Sequence, residues 1–438
     1  MRVTGLGKIV ILLLILGAAV GGWRAFQSMS GKGGLQLPLG GSKTSGNNGG
    51  TSNGNGNNNN GNGNNGSNNG SDNGGGNSSG SNGSGGNGSG DTSSTGTDAG
   101  TGVDVAANGN EILLVTSATK RGWLIDQIGK FNAQNNGKYR ITTKFLETRD
   151  AMHAILEGKV KPAIWSPSST IWTARLAQAW QQKNGKPILN LDDANSYRVF
   201  FRSPLVFLTT KQKLPLLKPI LTGGWDKLRQ ASGKVKFAHA DPLTANSGMM
   251  TLGLILADYA QQTGGDPTDI AGSEKFRTYM QSLERGLVFD LPAQGGSSAL
   301  FKAFVANPNR YDFITTYESN AIDEAIKNPQ IAVIYPNPTA VSESVGAVLQ
   351  GDWLSSTQQE GARAFLQFLG TQQAMREGLA YHFRPAQSGG TLSISNTLNQ
   401  LRGQGFQQSF SAVELPPYEA LNAAAFQWRT HVAHMPPQ

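Results

Sequence analysis

The chain has 438 residues, 57 of them glycine, with a formal net charge of +8 and no cysteine. Lacking cysteine, it has no disulfides, thiolate metal sites or cysteine nucleophile, and no lipid on an N-terminal cysteine. The basic excess is scattered, without an arginine-rich run or an aromatic–basic repeat, which describes a solvated surface and no nucleic-acid partner.

Arg2 and Lys8 precede an uncharged run, Ile9 to Trp23, that Arg24 closes. A basic flank followed by an apolar segment is the pattern of a secretory signal. The run of 15 residues falls between the core of a signal peptide and the roughly 20 residues of a spanning helix. Ala19-Val20-Gly21 offers a small-residue cleavage site, whereas Trp23 stands where an interfacial aromatic belongs and Val3 to Gly7 can lengthen the span. Residues 30–108 are a Gly/Asn/Ser-rich tract, with runs such as Asn57–Asn60 and Gly74–Gly76, that buries nothing and reads as a disordered linker. Over roughly 70 residues such a coil spans about 45–50 Å. A long tether has a use only when its far end is attached. Residues 1–29 are therefore read as a signal anchor, with a cleaved signal peptide as the alternative. The expected location is the cell membrane, single-pass with the folded domain extracytoplasmic, or the exterior after cleavage.

The folded part begins with a strand at Ile112–Thr116, a polar turn at Ser117–Lys120, and an amphipathic helix, Trp123–Asn132. Tyr139–Phe145 alternates as a strand, and Arg149–Glu157 reads as a helix closed by Gly158. Pro162–Trp165 is a strand whose hydroxyl-rich end, Ser166 to Ser169, opens a helix running through Gln181. Phe200–Thr210 is a longer strand and Trp225–Gln230 a short helix. Val235–Ala238 is a buried strand broken at Asp241-Pro242. Thr244, Asn246 and Ser247, all good N-cap types, then precede the helical run Met249–Ala260. Further on, Ser298–Asn307 reads as a helix, Tyr311–Asn320 as a strand leading into the helix Ala321–Lys327, and Ile331–Tyr335 as a strand. Helices follow at Gln358–Leu369, Gln372–Leu379 and Tyr418–His431.

Strands alternating with helices indicate an α/β fold with a largely parallel sheet. Ligands of such sheets sit beyond the C-terminal strand ends. Ser117 and Thr119, Ser168 and Ser169, and Asn246 and Ser247 all fall at such ends, each group opening a helix. A helix whose first N–H groups lack internal partners suits an anion or an oxygen-rich small molecule. The competing reading is a set of ordinary capped helices.

Catalytic signatures fail on context. Ser117-x-x-Lys120 matches the Ser-x-x-Lys of penicillin-binding enzymes. Its Ser-Asp-Asn partner occurs only upstream at Ser71–Asn73, and no Lys-Thr-Gly follows. Gly76-Asn-Ser-Ser-Gly80 lies in the linker, without the strand–turn–helix of a nucleophile elbow. No Gly-Lys-Ser/Thr phosphate loop is present. His431 and His434 have helical spacing but no evident third metal ligand, and Asp192-Asp193 reads as a turn. The expectation is a non-enzyme with no catalytic residue, cofactor or metal.

Ile164–Ser169, Arg202–Val206, Asp241–Gly248, Thr316–Asn320, Ile334–Pro336 and Phe383–Pro385 occur in an order that resembles bacterial extracellular solute-binding proteins. These have the type II periplasmic-binding fold, and the resemblance, over roughly 110–430, is to the broad group that includes molybdate-binding proteins. It implies a bilobal domain over 109–438, its two α/β lobes joined by crossover strands near Leu205–Thr210 and Ile331–Pro336. Lobe 1 would hold about 110–204 and 337–438, and lobe 2 about 211–330. The ligand would lie in the cleft and close the hinge around itself. Implied contacts are Ser117, Thr119, Ser168, Ser169, Asn246, Ser247 and Tyr317. Implied partners are a small-molecule or oxyanion solute, the membrane through the N-terminal helix, and an ABC-type permease or a von Willebrand A-domain protein. The chain has no Asp-x-Ser-x-Ser metal motif of its own. Glu318 departs from an oxyanion site, where its carboxylate would repel the ligand. Either it turns toward an arginine or lysine, or the ligand is cationic or polyhydroxylated. The expected function is capture of a small polar or anionic solute for a transporter. The alternative is an envelope interaction or assembly protein that keeps the scaffold without binding a small solute.

Overall fold

The computed structural model describes residues 109–289, 295–386 and 398–433; the expected N-terminal helix and linker lie outside them. β1 (Glu111–Thr116) passes through a 3-10 turn (Ala118–Lys120) into α1 (Arg121–Gln134). There follow β2 (Arg140–Phe145), α2 (Thr148–Leu156), β3 (Ile164–Ser166) and α3 (Thr170–Asn184). β4 (Tyr197–Thr210) then leads to α4 (Leu214–Leu221), α5 (Trp225–Ala231), β5 (Phe237–Ala238), α6 (Asn246–Thr263), α7 (Pro267–Ala271) and α8 (Glu274–Leu283). After α9 (Ser297–Ala306) come β6 (Phe313–Tyr317), α10 (Glu318–Lys327), β7 (Ile331–Ile334) and β8 (Val341–Val348). α11 (Ser356–Leu369), α12 (Gln372–Ala380), β9 (Arg384–Pro385) and α13 (Tyr418–His431) complete the order.

Two sheets share β4. Its first half, Tyr197 to Pro204, pairs antiparallel with β8 in the sheet β2-β1-β3-β8-β4. Its second half, from Leu205, pairs antiparallel with β6 and β7 in the other sheet, where β5 lies parallel to β6. The chain therefore changes lobes at Pro204–Leu205 and returns between β7 and β8. Leu205 N–H donates to the Ala340 carbonyl at 2.9 Å, and Thr339 Oγ1 donates to the Leu205 carbonyl at 2.6 Å, so the two crossings brace each other. The first crossing falls at the start of the expected Leu205–Thr210, whereas Ile331–Ile334 belongs wholly to the second sheet and the return follows it. The parallel sheet expected from strand–helix alternation is likewise only partly realised. β1 lies parallel to β2 and β3, but the strands linking the lobes run antiparallel. Element order does not encode that direction.

Each lobe has its own apolar core. Trp123, Phe200, Phe201 and Phe365 are buried in the first, with Trp123 set edge-on to Phe201 at 4.7 Å. In the second, Phe237 stacks on Phe313 at 5.1 Å, and Phe207 packs edge-on against the same ring. The last helix departs from the expected division, which assigned 337–438 to lobe 1. Ala420, Ala424, Ala425 and Trp428 of α13 are buried in the core of lobe 2. Trp428 Nε1 donates to the Glu284 carboxylate, and Arg429 pairs with Asp241 at 2.9 Å, both side chains almost wholly buried. The chain reaches lobe 2 along the crossing, where Thr339 N–H donates to the Ser411 carbonyl and Val413 N–H to the Thr339 carbonyl, both at 2.9 Å.

Candidate ligand-binding site

On the first lobe, β1 and β3 end side by side. Ser117 occupies the N-cap position of the 3-10 turn in extended conformation, yet its hydroxyl makes no cap. It shares hydrogen bonds with Ser168 at 2.6 Å and with Thr119 at 3.0 Å. Ser169 is the N-cap of α3 and also leaves its helix uncapped. Lys120 is buried and donates through Nζ to the carbonyls of Ser166 and Pro167 at 2.8 and 3.1 Å. Burial holds its ammonium down to about 7, because the charged form loses hydration.

On the second lobe, Asp241 accepts the Leu243 N–H at 2.8 Å, making the turn that delivers Asn246 to the start of α6. Gly248 is required there: a Cβ would lie 2.0 Å from the Ala240 carbonyl oxygen. Asn246 accepts from Trp172 Nε1, on α3 of the first lobe, at 2.8 Å and donates to the Tyr317 hydroxyl at 2.9 Å. Ser247 donates to the Ser297 hydroxyl at 2.8 Å, and its N–H donates to the same oxygen at 3.3 Å. Tyr317 is buried, which pushes its hydroxyl up to about 12 although Asn246 donates to it and the nearby Ser297 and Ser342 hydroxyls act to lower it. Ser342, on the returning strand β8, donates to the Ser168 carbonyl. Two hydrogen-bonded groups thus meet where the lobes join, Ser117, Ser168 and Ser342 on one side and Trp172, Asn246 and Tyr317 on the other, with Ser247 bonded to Ser297 beside them.

Glu147 closes the remaining side. It stands at the head of α2 without capping it. Its carboxylate lies so near Gly296, the N-cap of α9, that a Cβ there would come within 2.5 Å of Oε1. Burial, then the charge of Asp150, pushes Glu147 up to about 7.

Ser117, Thr119, Ser168, Asn246, Ser247 and Tyr317 therefore meet where the lobes join, with Ser169 beside them at the head of α3. Glu318 takes the first of its two options. Its carboxylate is fully buried and receives Arg384 through Nε at 2.7 Å and Nη2 at 2.5 Å, together with the Tyr335 hydroxyl. Sequence reasoning missed Lys120, Glu147, Trp172, Ser297 and Ser342 as parts of the site. Ser297 carries a signal close to that of Ser169, a hydroxyl at the head of a helix, but Ser342 sits in an unremarkable alternating strand. Asp193 makes a local turn, accepting from the Asn195 N–H at 3.0 Å and the Ser196 hydroxyl at 2.7 Å. Among the described residues no group of three or more His, Asp or Glu is arranged to hold a metal, and no helix is long and apolar enough to cross a membrane. His434 lies outside them.

A profile of the bacterial extracellular solute-binding protein family matches residues 112–384. No curated protein matches the chain. Among solved structures, a periplasmic thiamin binding protein is 15% identical with a TM-score of 0.52, covering 74% of this chain and 96% of that one. The periplasmic binding protein P5PA is 11% identical with a TM-score of 0.51, covering 74% and 99%. The ferric binding protein from Campylobacter jejuni is 13% identical with a TM-score of 0.51, covering 73% and 98%. At these identities the likeness establishes the fold. The family profile spans more than half of the chain, and the protein belongs to the bacterial extracellular solute-binding proteins.

Proposed function

We propose that this protein captures a small oxyanion, or a similarly oxygen-rich anionic solute, between its lobes. The observation that carries this reading is the convergence of the uncapped heads of α3 and α9, the first turn of α6 and the Ser117 turn on these hydroxyl and amide groups. Helix N-termini supply partial positive charge and N–H donors, and the hydroxyls and the Asn246 amide add donors that can turn toward an oxygen. The pairing of Glu318 with Arg384 removes the carboxylate that argued against an anion. Two structural relatives are described as thiamin- and ferric-binding proteins, in keeping with a small solute in such a cleft.

The N-terminal segment 1–29 anchors the protein and the tract 30–108 tethers it, so that the domain works outside the cytoplasm, handing its solute to an ABC-type permease or a von Willebrand A-domain partner. The chain performs no catalysis in this reading. Thermal melting of the intact protein against sulfate, molybdate, phosphate, sugars and amino acids tests it. An upshift of several degrees with an anion is expected, from the linkage of binding to stability.

One observation favours the second reading, an envelope interaction protein without a small solute. The Ser117 and Ser168 hydroxyls already bond each other at 2.6 Å. A flat melting response to every solute would select that reading.

A further inference from the structure

Lys120 is only 2% exposed, at the end of the turn that Ser117 opens and that contains Thr119. Its ammonium is held by the carbonyls of Ser166 and Pro167, the residues leading into Ser168. A buried ammonium calls for a counter-charge. Among the described residues no carboxylate forms an ion pair with it, and burial alone accounts for its displacement. The charged groups on the surrounding elements are engaged elsewhere. Arg121 on α1 stacks over Phe145, and Asp126 accepts the Tyr381 hydroxyl. On β8, Glu343 is held by Arg202 at 3.0 Å and by Thr170 at 3.2 Å. Lys302 on α9 is exposed, and Glu147 on the α2 side abuts Gly296.

We infer that the counter-ion of Lys120 is the solute itself, which makes Lys120 the residue that sets the charge the cleft accepts. This rests on the anion-binding reading above and goes further by giving it a fixed electrostatic partner. An anion lodged at Ser117 and Ser168 favours the protonated amine, which burial alone holds near 7. Binding at neutral pH and above therefore takes up a proton. Affinity falls as pH climbs past about 7, by up to tenfold per pH unit. Glu147 titrates in the same window and with the same sign, since its ionised form repels an anion. Asp150, raised by burial, and His153, lowered by burial, lie on the adjoining helix. Substitution of Glu147 separates its share from that of Lys120.

The test is calorimetric titration of the intact protein with sulfate, molybdate and oxalate, anions of constant charge between about pH 6 and about pH 8.5. It is run in two buffers of different ionisation heat, on wild type, Lys120→Met and Glu147→Gln. For wild type, the inference expects at least one anion to bind with proton uptake, and about 30-fold more weakly at the higher pH. Lys120→Met should bind that anion at least about tenfold more weakly at the lower pH and with a shallower pH slope. Glu147→Gln should keep most of the slope. Equal affinity and an unchanged slope in Lys120→Met would overturn the inference and leave the cleft reading standing. Failure of all three anions to bind wild type would overturn both. If Lys120→Met does not fold, proton uptake by wild type decides: uptake sustained in Glu147→Gln supports the inference, and binding without uptake overturns it.

Discussion

Hydroxyl residues begin helices in two parts of this molecule and behave in opposite ways. On α8, α11 and α12, Ser273, Ser355 and Thr371 turn back and accept an N–H of their own first turn at 3.2, 3.2 and 3.3 Å, as Asp266 does for α7 at 2.7 Å. At the interlobe site, Ser117 and Ser169 occupy the same N-cap position and do not. There the hydroxyl bonds run between elements, Ser117 to Ser168 and Ser247 to Ser297. A helix that caps itself is finished. A helix that leaves its head open, while neighbouring hydroxyls meet across the gap, retains donors that an oxygen-rich guest can take over. The comparison separates capping from binding where residue type alone could not.

The largest effect that sharpens it concerns Glu318, which heads a helix near the site yet is bound inward. Glu318→Ala should lower stability by about 3–5 kcal/mol, because Arg384 is left buried without its partner. Urea denaturation measures this; a loss of affinity with stability intact would return Glu318 to the ligand. Next, Ser247→Ala and Asn246→Ala should weaken anion binding by roughly 10- to 100-fold, as expected for losing a hydrogen bond to a charged group, at a smaller cost in stability. Were Ser247→Ala to unfold the domain and spare affinity, capping would be its role. On the other side of the comparison, Ser355→Ala should cost about 1 kcal/mol through loss of the capping box with Gln358, with no change in affinity. Ser169→Ala should cost less than that in stability, since it breaks no cap.

The last effect is on the pH dependence of the free protein. Lys120 has a folded value of about 7 against an ordinary 10.5, so the folded state holds fewer protons between these limits. Its contribution therefore rises with pH across that window. Glu147, raised from 4.5 to about 7, has the reverse sign, and its contribution falls as pH climbs from 4.5 to 7. Denaturation midpoints of wild type, relative to Lys120→Met, should climb between about pH 7 and pH 10; parallel curves would show that Lys120 is not held down.

Much of this arrangement was legible in the chain because strand ends and helix starts announce themselves locally. Ser117, Ser168 and Asn246 could be placed at strand ends from apolar runs, a proline break and N-cap residue types. What escaped depends on distance along the chain. Ser342 joins the site only because β8 returns beside β3, and the inward turn of Glu318 depends on Arg384, 66 residues away. Trp428 and Arg429 dock on Glu284 and Asp241, contacts that the helical pattern of Tyr418–His431 does not by itself reveal. Lys120 misled differently: three residues after Ser117 it matches a catalytic Ser-x-x-Lys, and only its burial and its carbonyl partners show another environment.

The most direct measurement is calorimetric titration of sulfate, molybdate and phosphate into the intact protein and into Ser247→Ala. The account predicts saturable binding of at least one anion by wild type and a roughly 10- to 100-fold loss in the variant. Wild type that binds none of them, or a variant that binds as tightly as wild type, would contradict it.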